Sequence, residues 1–543
     1  MYSSYTTLQR AQLAKQEYLD TQEVFLGVYA PGRSVSLKAS LQDQLHRKFL
    51  LTDSLRPEAL GSAVGVLLVR EDLSLMPTAL SCFADALRSG ADYVTSDAVF
   101  GYSGVTTLYH SQGFAACPGC ALVSRELLRR CQAEARDPEN PVELLTLAAK
   151  LSRSHVCLPL ALAHYERDIC AEDVWSVKGK RVLIMSHLLD MTGAPIVLVS
   201  AVPVLRSMGY EVVVLGPEDG GSMPLFLEAG AVVITRKGCV QSPLLWGLAL
   251  CADLVLANTV VEARAVRALS GARVPVLWWL HDAFAGYPHI AHQIPRELGE
   301  NIRLYSVGSH AANAMHSVRP EFNIRPLIYG LPDYAAEKFS HYDLSYAGGR
   351  PLFATVGSFE NRKGQDIFCK AIRLLPPETM KKASFLFVGK AAEAEMMDAV
   401  RSLTADCPDN VFYVKRLTRD EIKSLMAQCT CLVCASRDDP MPTFVTEGLI
   451  FGKPAIVSEH TGTAGLITEG VDGFVYEDDD PEKLAERLAW AIEHPEKLAA
   501  MRPACRELYE SHYSKQAFTN GLQQAVKELT GEQAPRSLSL CRN

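Results

Sequence analysis

The segment Ser436–Glu447, SRDDPMPTFVTE, places acids and prolines directly after an apolar run, CLVCAS, which has the composition of a buried strand. Pro442 suits the first position of a short helix, whose free backbone N–H groups would be available to an anion. Asp439 precedes this helix and Glu447 lies inside it, and both can face a ligand if the loop turns back. The alternative is structural: Asp438 and Asp439 complement the helix dipole, and Glu447 lies on a solvated face.

A basic pair occupies a second loop of the same kind, SFENRKG, which begins at Ser358. Arg362 and Lys363 come at the N-terminus of the helix that follows, where the helix dipole disfavours cations. An anion such as a diphosphate would remove this conflict, because both cations and the helix N-terminus could bind it. The alternative is a solvated loop with a flexible basic pair.

Two features of the first half of the chain also follow apolar runs. His281 comes directly after VPVLWWL, so its imidazole is a candidate ligand contact, although a structural histidine is the commoner outcome. Gly193 lies at the start of a helix, where the missing side chain lets the backbone approach a ligand closely. That helix does not begin with the GxGxxG of a dinucleotide-binding loop.

These loops belong to a regular alternation of strands and helices that begins near Lys178. The strand-like runs of the first series are KRVLIMS (180–186), EVVVLG (211–216), AGAVVITR (229–236), CADLVLANT (251–259), VPVLWWLHD (274–282) and IRLYSVGS (302–309). After a polar linker at 341–351, a second series follows: PLFATVGS, SFLFVGK, NVFYVKR, CTCLVCAS, KPAIVSE and DGFVYED. Strands this apolar are buried on both faces. The sequence therefore predicts an α/β fold with two tandem Rossmann-like parallel sheets, whose ligands bind beyond the carboxyl ends of the strands.

Length and composition limit the classes of function. A chain of 543 residues is too long for one core, and 62 acidic against 54 basic side chains offer no footprint for nucleic acid. The N-terminal segment lacks the apolar stretch of a signal peptide. Asp253 and Asn258 interrupt the apolar stretch 243–261, which favours a buried helix followed by a strand over a membrane span. We expect a cytoplasmic protein, with peripheral contact to the inner face of a membrane left open.

The fifteen cysteines are expected to be reduced in a chain without an export signal. Cys117-Pro-Gly-Cys120 has the CxxC spacing, and Cys131, Cys157 and Cys170 do not supply a second pair at the spacing of a zinc site. Cys431 and Cys434 lie in an apolar strand-like run, which favours core residues. We expect neither a metal nor a permanently bound cofactor.

Four motifs between about Lys180 and Tyr513 together resemble the retaining glycosyltransferases of the GT-B fold (family 4, group 1). They are SHLLDMTGAP, WWLHDAF, VGSFENRKGQD and SRDDPMPTFVTEGLIFGKPAIVSEHTGTAGLITEGVDGFVYE. The last matches that family's Glu-x7-Glu element, with Asp439 and Glu447 in the two acidic places. The resemblance implies a nucleotide-diphosphate sugar as donor and a glycan or lipid-linked acceptor in surface polysaccharide biosynthesis. It also implies metal-independent chemistry with retention of anomeric configuration, and it leaves contact with other polysaccharide enzymes open.

The resemblance assigns catalytic roles to His281, Asp439 and Lys363. His281 would lie near the reacting sugar, and Asp439 would bind the hydroxyls of the transferred sugar. Lys363 and Arg362 would neutralise the diphosphate, while Glu447 would hold the ribose hydroxyls of the donor.

The resemblance also implies backbone contacts with the substrates. Gly193 would let the chain approach the donor or acceptor. The backbone at the start of the helix, from Met441 through Pro442 and Thr443 to Val445, would bind the diphosphate. Two positions depart from the family: Ser358 stands where Arg is frequent, and Asp439 is one methylene shorter than Glu.

The first 170 residues differ from the rest. GADYVTSDAVF (90–100), CPGCALVSRELLRR (117–130) and LPLALAHYERD (158–168) resemble the C-terminal part of a family 2 glycosyltransferase of the GT-A type. No DxD occurs in these 170 residues, and only Ser96-Asp97 stands where one would be sought. We expect a degenerate packing or partner-contact module at 1–175, an acceptor-side Rossmann-like domain at 176–335, a donor domain at 336–530 and a frayed tail at 531–543.

Two alternatives to a glycosyltransferase stay open. A nucleotide-sugar epimerase on the same fold would need further acids and histidines around the sugar, and it would turn over donor without acceptor. A non-catalytic glycan- or nucleotide-binding protein is favoured by Ser358 and Asp439, whereas Lys363, Glu447 and His281 count against it.

Overall fold

The computed structural model describes residues 24–29, 35–69, 73–102, 105–111, 120–165, 167–175, 179–239, 243–407, 409–477 and 479–531. Cys117 of the CxxC and residues 532–543 of the expected tail lie outside these ranges. The described residues form two compact units: unit 1 within Met1–Ala257, Ala268–Val276 and Thr530–Asn543, and unit 2 within Asn258–Arg267 and Leu277–Leu529. The predicted division at residues 175 and 335 remains a prediction.

The strands of unit 1 are β1 (Leu26–Tyr29), β2 (Phe49–Thr52), β3 (Gly65–Val69), β4 (Leu73–Leu75), β5 (Tyr93–Tyr102), β6 (Val105–His110), β7 (Cys120–Ser124), β8 (His155–Tyr165), β9 (Lys180–Ser186), β10 (Tyr210–Gly216), β11 (Val232–Thr235) and β12 (Leu254–Asn258, which ends at the boundary of the unit). Its helices are α1 (Val35–Gln42), α2 (Ala79–Arg88), α3 (Arg125–Glu134), α4 (Pro141–Leu151), α5 (Ala171–Val174), α6 (Gly193–Val199), α7 (Ala201–Ser207), α8 (Met223–Glu228) and α9 (Pro243–Cys251).

One hydrogen-bonded sheet runs through unit 1 in the order β12-β9-β10-β11-β6-β5-β7-β3-β1-β2. Strands β9, β10 and β11 are parallel, and their apolar centres are buried, as predicted for a sheet covered on both faces. Strand β6 pairs antiparallel with β11, with His110 opposite Val233. The N-terminal segment and the first Rossmann-like strands therefore share a sheet.

The strands of unit 2 are β13 (Val276–Leu280), β14 (Ile302–Ser306), β15 (Ile324–Pro326), β16 (Leu352–Val356), β17 (Ser384–Val388), β18 (Val411–Val414), β19 (Cys431–Cys434), β20 (Ala455–Ser458) and β21 (Gly473–Tyr476). The remaining helices are α10 (Ala263–Leu269, across the boundary of the units), α11 (Tyr287–Ile290), α12 (Ser309–His316), α13 (Gln365–Leu374), α14 (Pro377–Met380), α15 (Ala394–Leu403), α16 (Arg419–Gln428), α17 (Thr443–Ile450), α18 (Pro481–Glu493), α19 (Pro495–Ala500), α20 (Arg502–Leu508) and α21 (Lys515–Thr530).

A six-stranded parallel sheet in unit 2 has the order β18-β17-β16-β19-β20-β21. The direction of winding reverses between β16 and β19, which are neighbours. The loops after these two strands carry the basic pair and the acidic segment that the sequence singled out. Reversal points of this kind are where open α/β sheets bind ligands, so the topology brings both candidate loops to one place.

The apolar stretch 243–261 forms helix α9 followed by strand β12, as predicted. Across the described ranges, no helix is long and apolar enough to cross a membrane. Twelve described cysteines carry free thiols, but Cys251 is disulfide-bonded, so the expectation of reduced cysteines is wrong for that residue.

Candidate active site

The two loops at the reversal point are held together by their backbones. Arg437 N–H donates to Arg362 O at 2.8 Å. Gly364 has a φ of +64°, and a Cβ there would lie 1.8 Å from Ala435 O, so glycine is required at this position. This close approach fixes the basic loop against the acidic one.

Lys363 and Asp439 form an ion pair between the two loops. Lys363 Nζ lies 2.6 Å from Asp439 Oδ2, and Met441 N–H donates to Asp439 Oδ1 at 3.3 Å. Asp439 is only 4% exposed. Three residues predicted for the site are thus in contact, and the Lys363 charge is balanced by the first acid of the Glu-x7-Glu element.

Arg362 contacts both loops as well. Its Nη1 donates to Asp438 O at 3.0 Å and its Nη2 to Glu360 Oε1 at 2.9 Å. The Ser358 hydroxyl donates to the same Glu360 oxygen at 2.8 Å. Glu360 therefore links Ser358 and Arg362, although the sequence did not single it out.

Asp438 contacts segments that follow strands β13 and β14. Its Oδ1 accepts from Phe284 N–H at 3.1 Å and from His310 Nε2 at 2.7 Å, and its Oδ2 accepts from Ala285 N–H at 3.0 Å. Burial opposes ionisation of Asp438, but the bonds from His310 and the two amides outweigh it and hold the pKa below its ordinary value. Sequence reasoning missed this role, for which two consecutive acids were the available signal.

Glu447 is buried in helix α17 at 6% exposure, which excludes the solvated face considered as its alternative. Arg419, the first residue of α16, forms an ion pair with Glu447 Oε1, and its guanidinium lies over the Tyr334 ring at 5.4 Å. Burial raises the pKa of Glu447, while Arg419 and Tyr334 oppose that rise. Neither partner was found from the sequence.

The N-terminus of α17 starts one residue later than predicted. Pro442 is the N-cap rather than the first helical residue, because its ψ of 105° is extended. Val445 N–H donates to Pro442 O at 3.1 Å, and Met441 N–H is bonded to Asp439. Of the predicted diphosphate-binding backbone, the N–H groups of Thr443 and Phe444 remain available to a ligand.

His281 is half-buried at the end of β13, with its ring 4.4 Å from that of Trp279, which stacks on Phe518. The neighbouring Asp282 accepts a bond from Val260 N–H at 2.6 Å. Burial raises the pKa of Asp282 to about 6. The segment after β13 thus carries, directly after His281, a carboxyl group whose pKa lies near neutral pH.

Gly193 lies in unit 1 as the first residue of α6. A Cβ at this position would meet no atom within 4 Å, so the backbone faces open space. The role predicted for Gly193, to let the backbone approach the donor or acceptor, stays a prediction.

Asp97, where a DxD motif would be sought, is buried against His110. Its Oδ2 lies 2.8 Å from His110 Nδ1, and His110 Nε2 lies 3.1 Å from Asp219 Oδ1, which also accepts from Thr235 Oγ1 at 2.6 Å. Burial lowers the pKa of His110, but the two carboxylates outweigh it and raise this pKa to about 10. Within the described ranges, no cluster of three or more His, Cys, Asp or Glu side chains is arranged to hold a metal ion.

Two family models match the chain at the segments that carry these residues. Glycosyl-transferase family 4 matches residues 178–313, and glycosyl transferases group 1 matches residues 338–508. The chain belongs to the family 4 and group 1 glycosyltransferases. The predicted family is therefore confirmed.

Curated relatives of this glycosyltransferase are distant. An uncharacterized glycosyltransferase of Methanocaldococcus jannaschii is 24% identical over 178 residues, which are 32% of this chain and 47% of the relative. Glycogen synthase of Pseudomonas syringae pv. tomato is 27% identical over 179 residues, 32% of this chain and 35% of the relative. The chain thus spans about half or less of the length of the curated relatives that it matches.

Solved structures share the fold of this glycosyltransferase. HepE of Anabaena, in complex with UDP and glucose, matches with a TM-score of 0.53 and 17% identity over 64% of this chain and 100% of that chain. Sucrose-phosphate synthase from Thermosynechococcus elongatus matches with a TM-score of 0.51 and 14% identity over 65% of this chain and 100% of that chain. The α/β prediction with two Rossmann-like parallel-sheet parts of the GT-B type is confirmed.

Proposed function

We propose that this glycosyltransferase moves a sugar, with retention of configuration, from a nucleotide-diphosphate sugar to a glycan or lipid-linked acceptor in surface polysaccharide biosynthesis. The observation that carries the proposal is a set of two ion pairs, Lys363–Asp439 and Arg419–Glu447. Both pairs lie in loops and helices beyond the carboxyl ends of the same parallel sheet. The same fold holds UDP and glucose in HepE of Anabaena.

In the proposed complex, Glu447 accepts hydrogen bonds from the ribose hydroxyls. A buried carboxylate beside a cation is suited to this task, because charge-assisted hydrogen bonds are about twice as strong as neutral ones. Arg419 opposes the rise in the pKa of Glu447 that burial causes, since the nearby cation favours the charged form. Arg419 is therefore a second residue on which donor affinity depends.

The diphosphate is bound by Lys363, by Arg362 and by the Thr443 and Phe444 N–H groups. As the donor bond breaks, negative charge develops on the leaving phosphate, and these fixed cations and dipoles stabilise it. Asp439 orients Lys363 through the 2.6 Å contact and accepts from hydroxyls of the transferred sugar. The cations supply this stabilisation without a metal.

The reaction proceeds at one face of the sugar. The bond from the anomeric carbon to the phosphate oxygen breaks, and the acceptor oxygen bonds to that carbon on the same face. The acceptor proton passes to the leaving phosphate, so no glycosidase-type second carboxylate is required. His281 contacts the reacting sugar, and the open backbone at Gly193 receives the donor or acceptor.

The N-terminal module, residues 1–175, is proposed to serve packing or partner contact rather than to form a second active site. Asp97 is engaged by His110, which leaves it unsuited to a metal-bound nucleotide of the GT-A type. The localisation proposed from the sequence is cytoplasmic, with peripheral membrane contact open.

The donor site is tested by thermal unfolding with UDP-glucose, UDP-galactose, UDP-N-acetylglucosamine, ADP-glucose and GDP-mannose. A nucleotide sugar at 100 times its Kd should stabilise the wild type by about 2.7 kcal/mol. Glu447→Gln should lose most of this effect, because a lost bond to a charged group costs about 1.5–3 kcal/mol. Glu493→Gln, which removes the ion pair with Lys382, is the matched control and should keep it.

If no nucleotide sugar stabilises the wild type, the proposed function is refuted. An undiminished effect in Glu447→Gln would show instead that Glu447 is not the ribose ligand. Conversion of the sugar in the absence of any acceptor, followed by NMR, would favour the epimerase alternative over transfer.

A further inference from the structure

Asp438 is bonded to three donors that come from two other segments of unit 2. Two of them are consecutive backbone amides, Phe284 and Ala285, and each of the two carboxylate oxygens accepts one of these. The third is His310 near the start of α12, whose ring packs edge-on against Phe284 with centroids 5.0 Å apart. Charge-assisted hydrogen bonds from two adjacent amides to one carboxylate fix the position of the backbone segment as well as its distance from that carboxylate.

The segment that Asp438 holds also carries His281. Phe284 follows His281 by three residues, and the intervening chain is held at Asp282, which accepts the Val260 N–H. The placement of the His281 imidazole therefore depends on a short piece of backbone that is bonded at Asp282 and at Asp438.

The other side of Asp438 faces the diphosphate loop. Its carbonyl oxygen accepts from Arg362, and the next residue, Asp439, pairs with Lys363. The packing beside it is tight, since a Cβ on Gly308 would lie 2.8 Å from the Met441 side chain. Residue 438 is thus bonded both to the proposed phosphate-binding loop and to the histidine segment.

We infer that Asp438 is a positioning residue, which holds the His281 segment in register with the diphosphate-binding loop. This inference rests on the proposed function. Asp438 does not contact the donor itself; it fixes how far His281 stands from the sugar that Lys363 and Arg362 hold through its phosphates. Misplacement of a catalytic group by about 1 Å can lower a rate roughly 100-fold, so the loss should fall on turnover rather than on donor affinity.

The first test measures hydrogen exchange of the ligand-free protein and is independent of activity. Asp438→Asn replaces one acceptor oxygen by a donor, so one of the amides at 284 and 285 loses its partner. Peptides covering 281–287 should exchange at least about tenfold faster in this variant than in the wild type, if a hydrogen bond worth about 1.4 kcal/mol is lost. Asp472→Asn is the matched control, because Asp472 is a buried acid that accepts a loop amide, Thr468 N–H at 2.8 Å.

The second test separates kcat from KM with UDP-glucose and GDP-mannose, by release of UDP or GDP. Asp438→Asn should lower kcat by about 10- to 100-fold and change KM for the donor by less than about threefold. Asp438→Glu retains the charge and should recover part of the lost kcat, while Asp472→Asn should match the wild type.

The outcomes distinguish the inference from the proposal beneath it. Unchanged exchange at 281–287 in Asp438→Asn would overturn the inference whatever the activity. If the wild type turns over donor and the Asp438→Asn variant has the same kcat, the inference is overturned as well. A wild type that neither binds nor turns over any nucleotide sugar would refute the proposed function, and the exchange result would still decide whether Asp438 holds the segment.

Discussion

Glu262 is a buried carboxyl group without a hydrogen-bond or ion-pair partner in the part of the chain that the structure describes. It ends the turn Val260–Glu262, is 1% exposed, and its Oε2 makes no hydrogen bond. Burial raises its pKa from 4.5 to about 8. The native protein therefore keeps a proton that the unfolded chain releases, and stability falls as pH rises from about 4.5 to about 8.

The size of this loss follows from the shift in pKa. A difference of about 3.5 units at about 1.4 kcal/mol each gives about 5 kcal/mol, fully expressed above pH 8 and absent below pH 4.5. Glu262→Gln has nearly the same shape and no proton to release, so it should escape the loss. Between pH 5.5 and 7.5 the variant should gain about 3 kcal/mol relative to the wild type.

Urea unfolding of both proteins at pH 5.5, 6.5, 7.5 and 8.5 measures this difference. The fluorescence of the buried Trp278 and Trp279 reports on unit 2, to which Glu262 belongs. Glu378→Gln is the control, because the Glu378 side chain is 83% exposed, and its curve should run parallel to that of the wild type. Parallel curves for Glu262→Gln as well would refute the reasoning, since they would mean that Glu262 is charged or hydrated in the native state.

Three further predictions concern the loops of the site. Gly364→Ala should destabilise unit 2 by about 3 kcal/mol or more in urea unfolding because of the clash with the facing carbonyl, whereas Gly349→Ala, also at positive φ but in open space, should cost only about 1 kcal/mol. Lys363→Met and Asp439→Asn should be non-additive in the same assay, with a coupling energy of about 1–3 kcal/mol; additive effects would contradict the observed ion pair. Gly193→Ala should unfold like the wild type but weaken substrate binding by calorimetry, and unchanged binding would exclude a close backbone approach there.

The two Rossmann-like parallel-sheet parts could be predicted because each strand is a short apolar run and each is followed by a turn or helix signal. The basic pair and the Asp439–Glu447 element could be found because they lie in the loops directly after such runs. Local patterns suffice for features of this kind, since the residues involved are neighbours along the chain.

The partners of these residues could not be predicted from local patterns. Glu447 pairs with Arg419, 28 positions away, and Asp438 with His310, 128 positions away. These contacts depend on which strands are adjacent in the sheet, and apolar periodicity does not state that order. The start of α17 was misplaced for a different reason: proline is accepted both at the N-cap and at the first helical position, and only the backbone ψ distinguishes the two.

The pairing of β6 with β11 has a consequence for the expression of shortened forms of this protein. The family matches begin at residue 178, which invites expression of a shortened protein that starts there. Such a protein would keep β11, the apolar strand VVIT, and lose the strand that covers its edge. Bare apolar edges recruit strands from other molecules, so the shortened protein should self-associate and precipitate even though it retains every motif of its family.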